Sequence, residues 1–231
     1  MKIKSAFKSL TKFEWGLWIF SILVISLSFT IGKVDKLNII ASLIGVTSLI
    51  FISKGNVLGQ ILIVIFSVFY GIISFTFKYY GEMITYMFMT TPIAGMTIVS
   101  WIKNPYKENE VRISKVTIKQ LIIMMIFSII ITGIFYFILK SLNTENLIIS
   151  TISITTSFIA GYLTYLRSPY YALGYAANDI ILIILWLLAT INDVSYLPMV
   201  LCFVMFLFND LYGFYNWKKM LKAQRELPNN I

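Results

Sequence analysis

The chain has 231 residues, of which 58% are hydrophobic and 13% charged, and its formal net charge is +9 at pH 7. Because soluble domains are roughly 45–50% apolar and about 25% charged, this composition excludes a single soluble domain and indicates several membrane spans. The lack of His and the single Cys, Cys202, exclude a disulfide framework and remove the commonest metal ligands. We therefore predict neither a metal nor another cofactor.

Eight apolar segments follow one another along the chain, each near the ~20 residues that cross ~30 Å of hydrocarbon. They run at about 15–31, 37–53, 57–77, 82–102, 118–139, 146–166, 171–191 and 195–217. This pattern predicts an all-α integral membrane protein with eight transmembrane helices. The connections are short, except for a polar and charged loop at 104–117.

The first apolar segment has an alternative interpretation as a signal peptide, because residues 1–12 are rich in Lys. However, Ser26–Gly32 offers no clear small-residue cleavage site, and the segment is as long as the other spans. These features favour a retained helix.

The basic residues predict the orientation of the chain in the cell's inner membrane. If both termini are cytoplasmic, 15 Lys and Arg residues lie on the inner side and 4 on the outer side. The basic excess then reflects topology, so no nucleic-acid partner is predicted and the lipid bilayer is the expected surroundings.

An internal repeat relates two sets of three spans. Matching residues are 113 to 116 apart: Lys54 with Arg167, Leu58-Gly59 with Leu173-Gly174, and Tyr80, Met83, Trp101, Lys103 with Tyr196, Met199, Trp217, Lys219. One linker span between the sets makes the repeats parallel, although chance similarity of apolar helices is the alternative. The predicted units are an N-terminus with an extra helix (1–36), a first triple-helix bundle (37–103), a loop and linker helix (104–145), a second triple-helix bundle (146–219) and a cytoplasmic tail (220–231).

One stripe of the seventh span carries its unusual residues. Asn178, Leu182 and Leu185 share a helix face, and Asp179 and Trp186, seven residues apart, lie almost in line on it. A charge near the bilayer centre costs about 2.5–3.5 kcal/mol, so an intramembrane Asp indicates a functional site by default. A hydrogen-bond network that only joins helices is the alternative.

The other spans contribute further polar side chains to the predicted site between the two units. The third span places Gln60, Ser67 and Ser74 seven residues apart, with Tyr70 on a nearby face. In the fourth span Thr91 precedes Pro92, which removes a backbone hydrogen bond and predicts a kink and a hinge.

The eighth span carries Asn209 and Asp210, which alternatively form a polar rung between helices. We expect Trp15, Trp18, Trp101, Tyr212 and Trp217 at the membrane interfaces. Glu82 is expected to be solvated at an outer helix end.

These side chains suit a nucleoside-like small molecule. Amide and carboxylate oxygens bind hydroxyls, aromatic rings stack on flat bases, and both carboxylates and aromatic faces favour a cation. The predicted substrate-binding set is Asn178, Asp179, Leu182, Trp186, Gln60, Ser67, Tyr70, Thr91, Asn209 and Asp210.

The stretch from Asn178 to Trp186 reads N-D-x-x-L-x-x-L-W and resembles a signature of the PnuC vitamin B3 transporters. Further similarity over 37–219 lies in Gly55–Gly59, Tyr80–Glu82 and Asn209–Gly213. The resemblance implies a SWEET-like fold, a substrate site at Asn178, Asp179 and Trp186, and facilitated uptake of nicotinamide riboside, which a cytoplasmic kinase then traps. Many relatives have Gln or Asn at the position of Met87 and Gly at the position of Thr97. We therefore expect the part of the pocket formed by the first unit to differ from that of those relatives.

Other functions stay open at this stage. The substrate could be a deoxyribonucleoside or thiamine, and Asp179 or Asp210 could carry a proton in coupled transport. An enzyme is not predicted, because the chain has no His and no nucleophile–base spacing; a receptor-like subunit is a further alternative. The sequence leaves a homo-oligomer open.

Overall fold

The computed structural model describes residues 3–31, 36–76, 79–107 and 110–226, and within them it is an all-α membrane protein. Eight helical segments in this part of the chain are long and apolar enough to cross a membrane, which confirms the predicted number. The helices are α1 Ile3–Lys8, α2 Lys12–Ile31, α3 Lys36–Ser53, α4 Val57–Thr76, α5 Tyr80–Ile84, α6 Thr91–Lys103, α7 Ile118–Ser141, α8 Leu147–Tyr165, α9 Tyr171–Asn192 and α10 Leu197–Glu226. A short hairpin, β1 Pro105–Lys107 and β2 Glu110–Val111, lies in the polar loop.

Two span ends differ from the prediction. Helix α2 begins earlier because Thr11 and Glu14 form a reciprocal cap: the Thr11 N–H donates to Glu14 Oε2 at 2.6 Å, and the Glu14 N–H donates to Thr11 Oγ1 at 3.3 Å. The C-terminal end of α10 continues well beyond the apolar segment. There Gln224 accepts from the Ile113 N–H and donates to the Val111 carbonyl, so the loop holds this polar extension.

Six helices surround the centre of the molecule. Helix α4 packs between α3 and α6, α9 packs between α8 and α10, and the two groups meet where α10 contacts α3 and α6 contacts α8. Helix α2 lies against α3 and α10, while α7 packs on α8 and leaves most of its large apolar side chains exposed. These contacts fit two three-helix units, whose boundaries stay a prediction.

Matching hydrogen bonds join the two groups. The Trp217 indole donates to the Ile52 carbonyl at the end of α3, at 2.9 Å, and the Trp101 indole donates to the Thr164 carbonyl at the end of α8, at 3.1 Å. Trp101 and Trp217 are 1% and 0% exposed, so their predicted place at the membrane interface is wrong. Each indole instead donates a second hydrogen bond to a helix-terminal carbonyl of the other group, in addition to the one from a backbone N–H of the following turn.

The fourth span is irregular just before Pro92. Helix α5 passes into a π-helical turn, Thr85–Thr90, and then into α6. Thr91 Oγ1 donates to the Tyr86 carbonyl at 2.8 Å, which satisfies an acceptor in this wide turn. Such turns often mark functional sites. The hinge predicted here stays a prediction.

Both ends of the described chain lie on one face, which we call the terminal face. A pocket there is lined by residues from the start of α2, the hairpin and the end of α10, among them Phe13, Tyr106 and Met220. Tyr79 and the α7–α8 and α9–α10 connections lie on the opposite face.

Candidate substrate site

A small cavity of about 40 Å³ lies between α3, α4, the π-helical turn, α9 and α10. Side chains from both groups of helices surround it. Its described lining residues are Leu49, Ile52, Ile63, Phe66, Ser67, Tyr86, Thr90, Tyr171, Tyr175, Asn178, Asp179, Phe206 and Asp210. The cavity therefore combines aromatic rings with an amide and two carboxyl groups, and none of these lining residues is basic.

Asn178 is held in one orientation by α8. Its Oδ1 accepts hydrogen bonds from Thr156 Oγ1 at 2.9 Å and from Ser157 Oγ at 3.0 Å. Because both donors lie on the oxygen, the two ends of the amide are distinguished. Asn178 thus joins α9 to α8 and also lines the cavity.

Two carboxyl groups, one on α9 and one on α10, face each other. Asp179 and Asp210 are each 3% exposed, and their side chains lie within hydrogen-bonding reach of one another. Asp179 Oδ2 has no hydrogen-bond partner among the described residues. The ion pairs found among the described residues, Lys54–Glu14 and Lys222–Glu226, involve neither of these two carboxyl groups. Such a buried, uncompensated carboxyl pair is costly unless a ligand uses it.

Aromatic rings form the wall of the cavity that lies farther from the terminal face. The Trp186 indole donates to the Tyr70 hydroxyl at 3.1 Å and so joins α9 to α4. The Tyr70 and Tyr86 ring centroids are 4.3 Å apart, and Phe66 packs against both. Tyr79 meets the other side of Trp186, with centroids 5.0 Å apart.

The structure brings together only part of the predicted set. Asn178, Asp179, Asp210 and Ser67 line the cavity, and Ser67 Oγ has no partner among the described residues. Trp186 and Tyr70 contact one another in the adjoining wall.

Four predicted residues lie elsewhere. Asn209 points toward α2, where its amide donates to Ser21 Oγ at 3.1 Å. Thr91 binds the Tyr86 carbonyl, and its neighbour Thr90 lines the cavity instead. Gln60 and Leu182 are buried but absent from the lining. None of these four lines the central cavity, and their part in substrate binding stays a prediction.

Several lining residues were not predicted from sequence, chiefly Tyr86, Tyr171 and Tyr175. A signal existed for two of them: Tyr171 and Tyr175 lie seven and three residues before Asn178, so the same helix face extends to them. Tyr86 has no such signal, because the π-helical turn changes which residues share one face of the helix.

Glu82 is buried rather than solvated, which corrects the sequence expectation. It is 2% exposed, Ser153 Oγ donates to its Oε1 at 3.3 Å, and its Oε2 has no partner among the described residues. The reason is local packing: Gly81 lies against Leu139 and Thr144, so the end of α7 and the following turn cover this helix end.

A polar and aromatic cavity between membrane-spanning helices of two groups is the arrangement of a membrane transporter. A family model described as the nicotinamide mononucleotide transporter matches residues 35–219. The chain belongs to this family, as its resemblance to the PnuC transporters implied.

Two relatives support the assignment. A nicotinamide riboside transporter PnuC from Neisseria mucosa is 27% identical over 227 residues, covering 95% of this chain and 86% of the relative. The crystal structure of a vitamin B3 transporter PnuC shares the fold, with a TM-score of 0.82, 25% identity and coverage of 94% of each chain.

Proposed function

We propose that this protein carries nicotinamide riboside into the cell through the cavity between its two helix groups. The observation that carries the proposal is the Asp179–Asp210 pair, which is buried beside aromatic rings and has one Asp179 oxygen without a partner among the described residues. The riboside is a fixed cation with ribose hydroxyls. Carboxylate oxygens accept from those hydroxyls, and both carboxylates and aromatic faces stabilise the pyridinium ring.

The charges of the cavity favour the riboside over the mononucleotide. A phosphate group needs Arg, Lys or several N–H donors, and a buried carboxylate repels it. The described lining residues include two acidic side chains and no basic one. The relative from Neisseria mucosa is likewise named for the riboside.

The size of the cavity supports transport by alternating access. Ligand pockets span about 300–1,000 Å³, whereas this cavity measures about 40 Å³. The aromatic wall must therefore separate to admit the substrate, and the Trp186–Tyr70 hydrogen bond is the link between helix groups that has to break. The π-helical turn before Pro92 is the proposed hinge.

The direction of net uptake then comes from chemistry outside the protein. With the terminal face in the cytoplasm, as the basic residues predict, facilitated diffusion delivers the riboside to the inner side. A cytoplasmic kinase adds a charged phosphate, and the product no longer fits an acidic cavity. This uniport mechanism requires no energy source in the chain itself.

The test is uptake of labelled substrate by purified protein in liposomes, with counterflow as the signature of a carrier. Nicotinamide riboside, nicotinamide mononucleotide, a deoxyribonucleoside and thiamine are compared at equal concentration. Saturable uptake and counterflow of the riboside alone support the proposal. Equal or better transport of another compound would replace the substrate, and binding without counterflow would indicate a receptor.

A second candidate is proton-coupled transport, which the contact between the Asp179 and Asp210 carboxyl groups favours. Two neighbouring carboxyl groups in a membrane are a common proton relay. Uptake is measured with an imposed proton gradient and again after an ionophore collapses it. The uniport proposal requires equal rates in both conditions, while a lower rate after collapse supports coupling.

A further inference from the structure

A second and larger cavity opens on the opposite face. Its volume is about 390 Å³, within the range of about 300–1,000 Å³ typical of small-molecule sites. The start of α5 and the α7–α8 and α9–α10 connections surround it. Its described lining residues are Tyr79, Tyr80, Leu142, Asn143, Glu145, Ala189, Asn192, Asp193 and Tyr196, and we call this space the vestibule.

The charge of the vestibule is negative. Glu145 and Asp193 are both exposed, and no Lys or Arg occurs among the described lining residues. Asp193 Oδ1 accepts from the Ser195 N–H at 2.9 Å, and these hydrogen bonds to Ser195 hold the pKa of this carboxyl below its usual range. Both carboxylates therefore act on whatever enters the vestibule from outside.

Aromatic rings form the inner end of the vestibule. Tyr79 and Tyr196 line it, and the Trp186 ring lies against both, with centroid separations of 5.0 and 5.7 Å. Trp186 also donates to Tyr70 in the wall of the central cavity. These three rings, Tyr79, Trp186 and Tyr196, thus stand between the vestibule and the central cavity.

We propose that the vestibule is an external subsite for an organic cation, in which Glu145 and Asp193 attract the positive charge and the Tyr79 and Tyr196 rings receive it before the aromatic wall opens. The inference rests on the proposed function for its substrate. Carboxylates at the mouth raise the local concentration of a cation. An aromatic face at the far end adds a cation–π contact.

The subsite selects for charge rather than for shape. Its carboxylates lie on the rim in water, where their attraction is screened by salt. The central cavity, in contrast, has an amide and carboxyl groups that are buried among the helices. Loss of the rim charges should therefore weaken capture without slowing the movement of bound substrate.

The test uses the full chain in liposomes with Glu145→Gln, Asp193→Asn and the double variant. Asn at 193 keeps an oxygen that accepts from the Ser195 N–H, so the local turn is preserved. Glu226→Gln is the matched control, because Glu226 is an exposed carboxylate on the terminal face. A reduced, uncharged dihydro form of nicotinamide riboside serves as a neutral probe of the same shape.

At low salt the KM for nicotinamide riboside is expected to rise about threefold for each single variant and about tenfold for the double variant. Each lost carboxylate removes the attraction of one charge pair, between the carboxylate and the pyridinium, at a separation of about 4–7 Å in water. The maximal rate and the KM of the control variant stay unchanged. At about 1 M salt, where the Debye length is about 3 Å, the differences disappear. The KM of the neutral probe stays equal in all variants.

Equal KM values for the riboside in the wild type and the double variant would overturn the vestibule proposal while leaving the transport function intact. So would an equal rise in the KM of the neutral probe, because it would indicate a change in structure rather than in charge. Absence of riboside uptake by the wild type would overturn the proposed function and this inference together.

Discussion

Replacement of Asp179 by Asn separates a substrate-binding carboxylate from one that only joins helices. The variant keeps the size of the side chain and an oxygen acceptor, but it removes the negative charge next to Asp210. A hydrogen bond to a charged group contributes about 1.5–3 kcal/mol, so we expect the KM for nicotinamide riboside to rise about 10- to 150-fold. The measurement is initial uptake by proteoliposomes at several substrate concentrations.

The same substitution should stabilise the protein without substrate. Asp179 and Asp210 are buried together, and Asp179 Oδ2 has no partner among the described residues, so an ionised carboxyl group is costly at this site whereas a neutral amide is not. We expect a higher unfolding temperature in detergent for Asp179→Asn, and also for Asp210→Asn. The two effects therefore have opposite signs: weaker transport with greater stability.

A fall in stability would refute this reasoning. If Asp179 served only a hydrogen-bond network between helices, Asn would break it, and the unfolding temperature would drop while the KM for the riboside hardly changed. Asn178→Ala provides the contrast, because it removes the acceptor of two α8 hydroxyl groups and should lower stability and transport together.

Five further substitutions, at four positions, test the packing of the helices. Trp186→Phe keeps a ring but removes the hydrogen bond to Tyr70, which contributes about 0.5–1.5 kcal/mol, so the KM for the riboside should rise about three- to tenfold. Trp186→Ala removes the ring as well, and it should abolish saturable uptake in a protein that still inserts into the membrane. Trp217→Phe removes the indole hydrogen bond to the Ile52 carbonyl, which also accepts from the Gly55 N–H, so we expect a cost of about 0.5–1.5 kcal/mol in thermal unfolding and an unchanged riboside KM. A changed KM with normal stability would contradict this. Gly174→Ala should destabilise the protein, because its Cβ would lie 2.9 Å from a backbone atom of α8, whereas Gly95→Ala, with nothing within 4 Å, should be neutral or slightly stabilising; equal effects of the two would refute the close helix contact.

The number of spans and the family could be predicted from the sequence, because both depend on local patterns. A run of about 20 apolar residues crosses a bilayer wherever it packs. The stripe from Asn178 to Trp186 depends only on helical periodicity, so the burial of Asn178, Asp179, Leu182 and Trp186 was also predictable.

The neighbours of each polar side chain could not be predicted in the same way. Asn209 and Asp210 are adjacent in sequence, yet one binds Ser21 of α2 and the other lines the cavity, because α10 packs against α2 as well as against α3 and α9. Trp101 and Trp217 lie near the ends of their spans, where Trp residues of the membrane interface are expected, but their indoles donate to carbonyl groups at the ends of α8 and α3.

By itself the sequence determined an eight-helix membrane protein of the PnuC type and one helix face that carries an amide, a carboxylate and an indole. Only the tertiary structure decided that Asp210 faces Asp179, that Tyr70 accepts from Trp186, and that aromatic rings divide a central cavity from a vestibule. The reason is physical: a helix face follows from local periodicity, but a site between helices depends on how distant segments cross. That crossing is set by packing and hydrogen bonds among residues far apart in the chain.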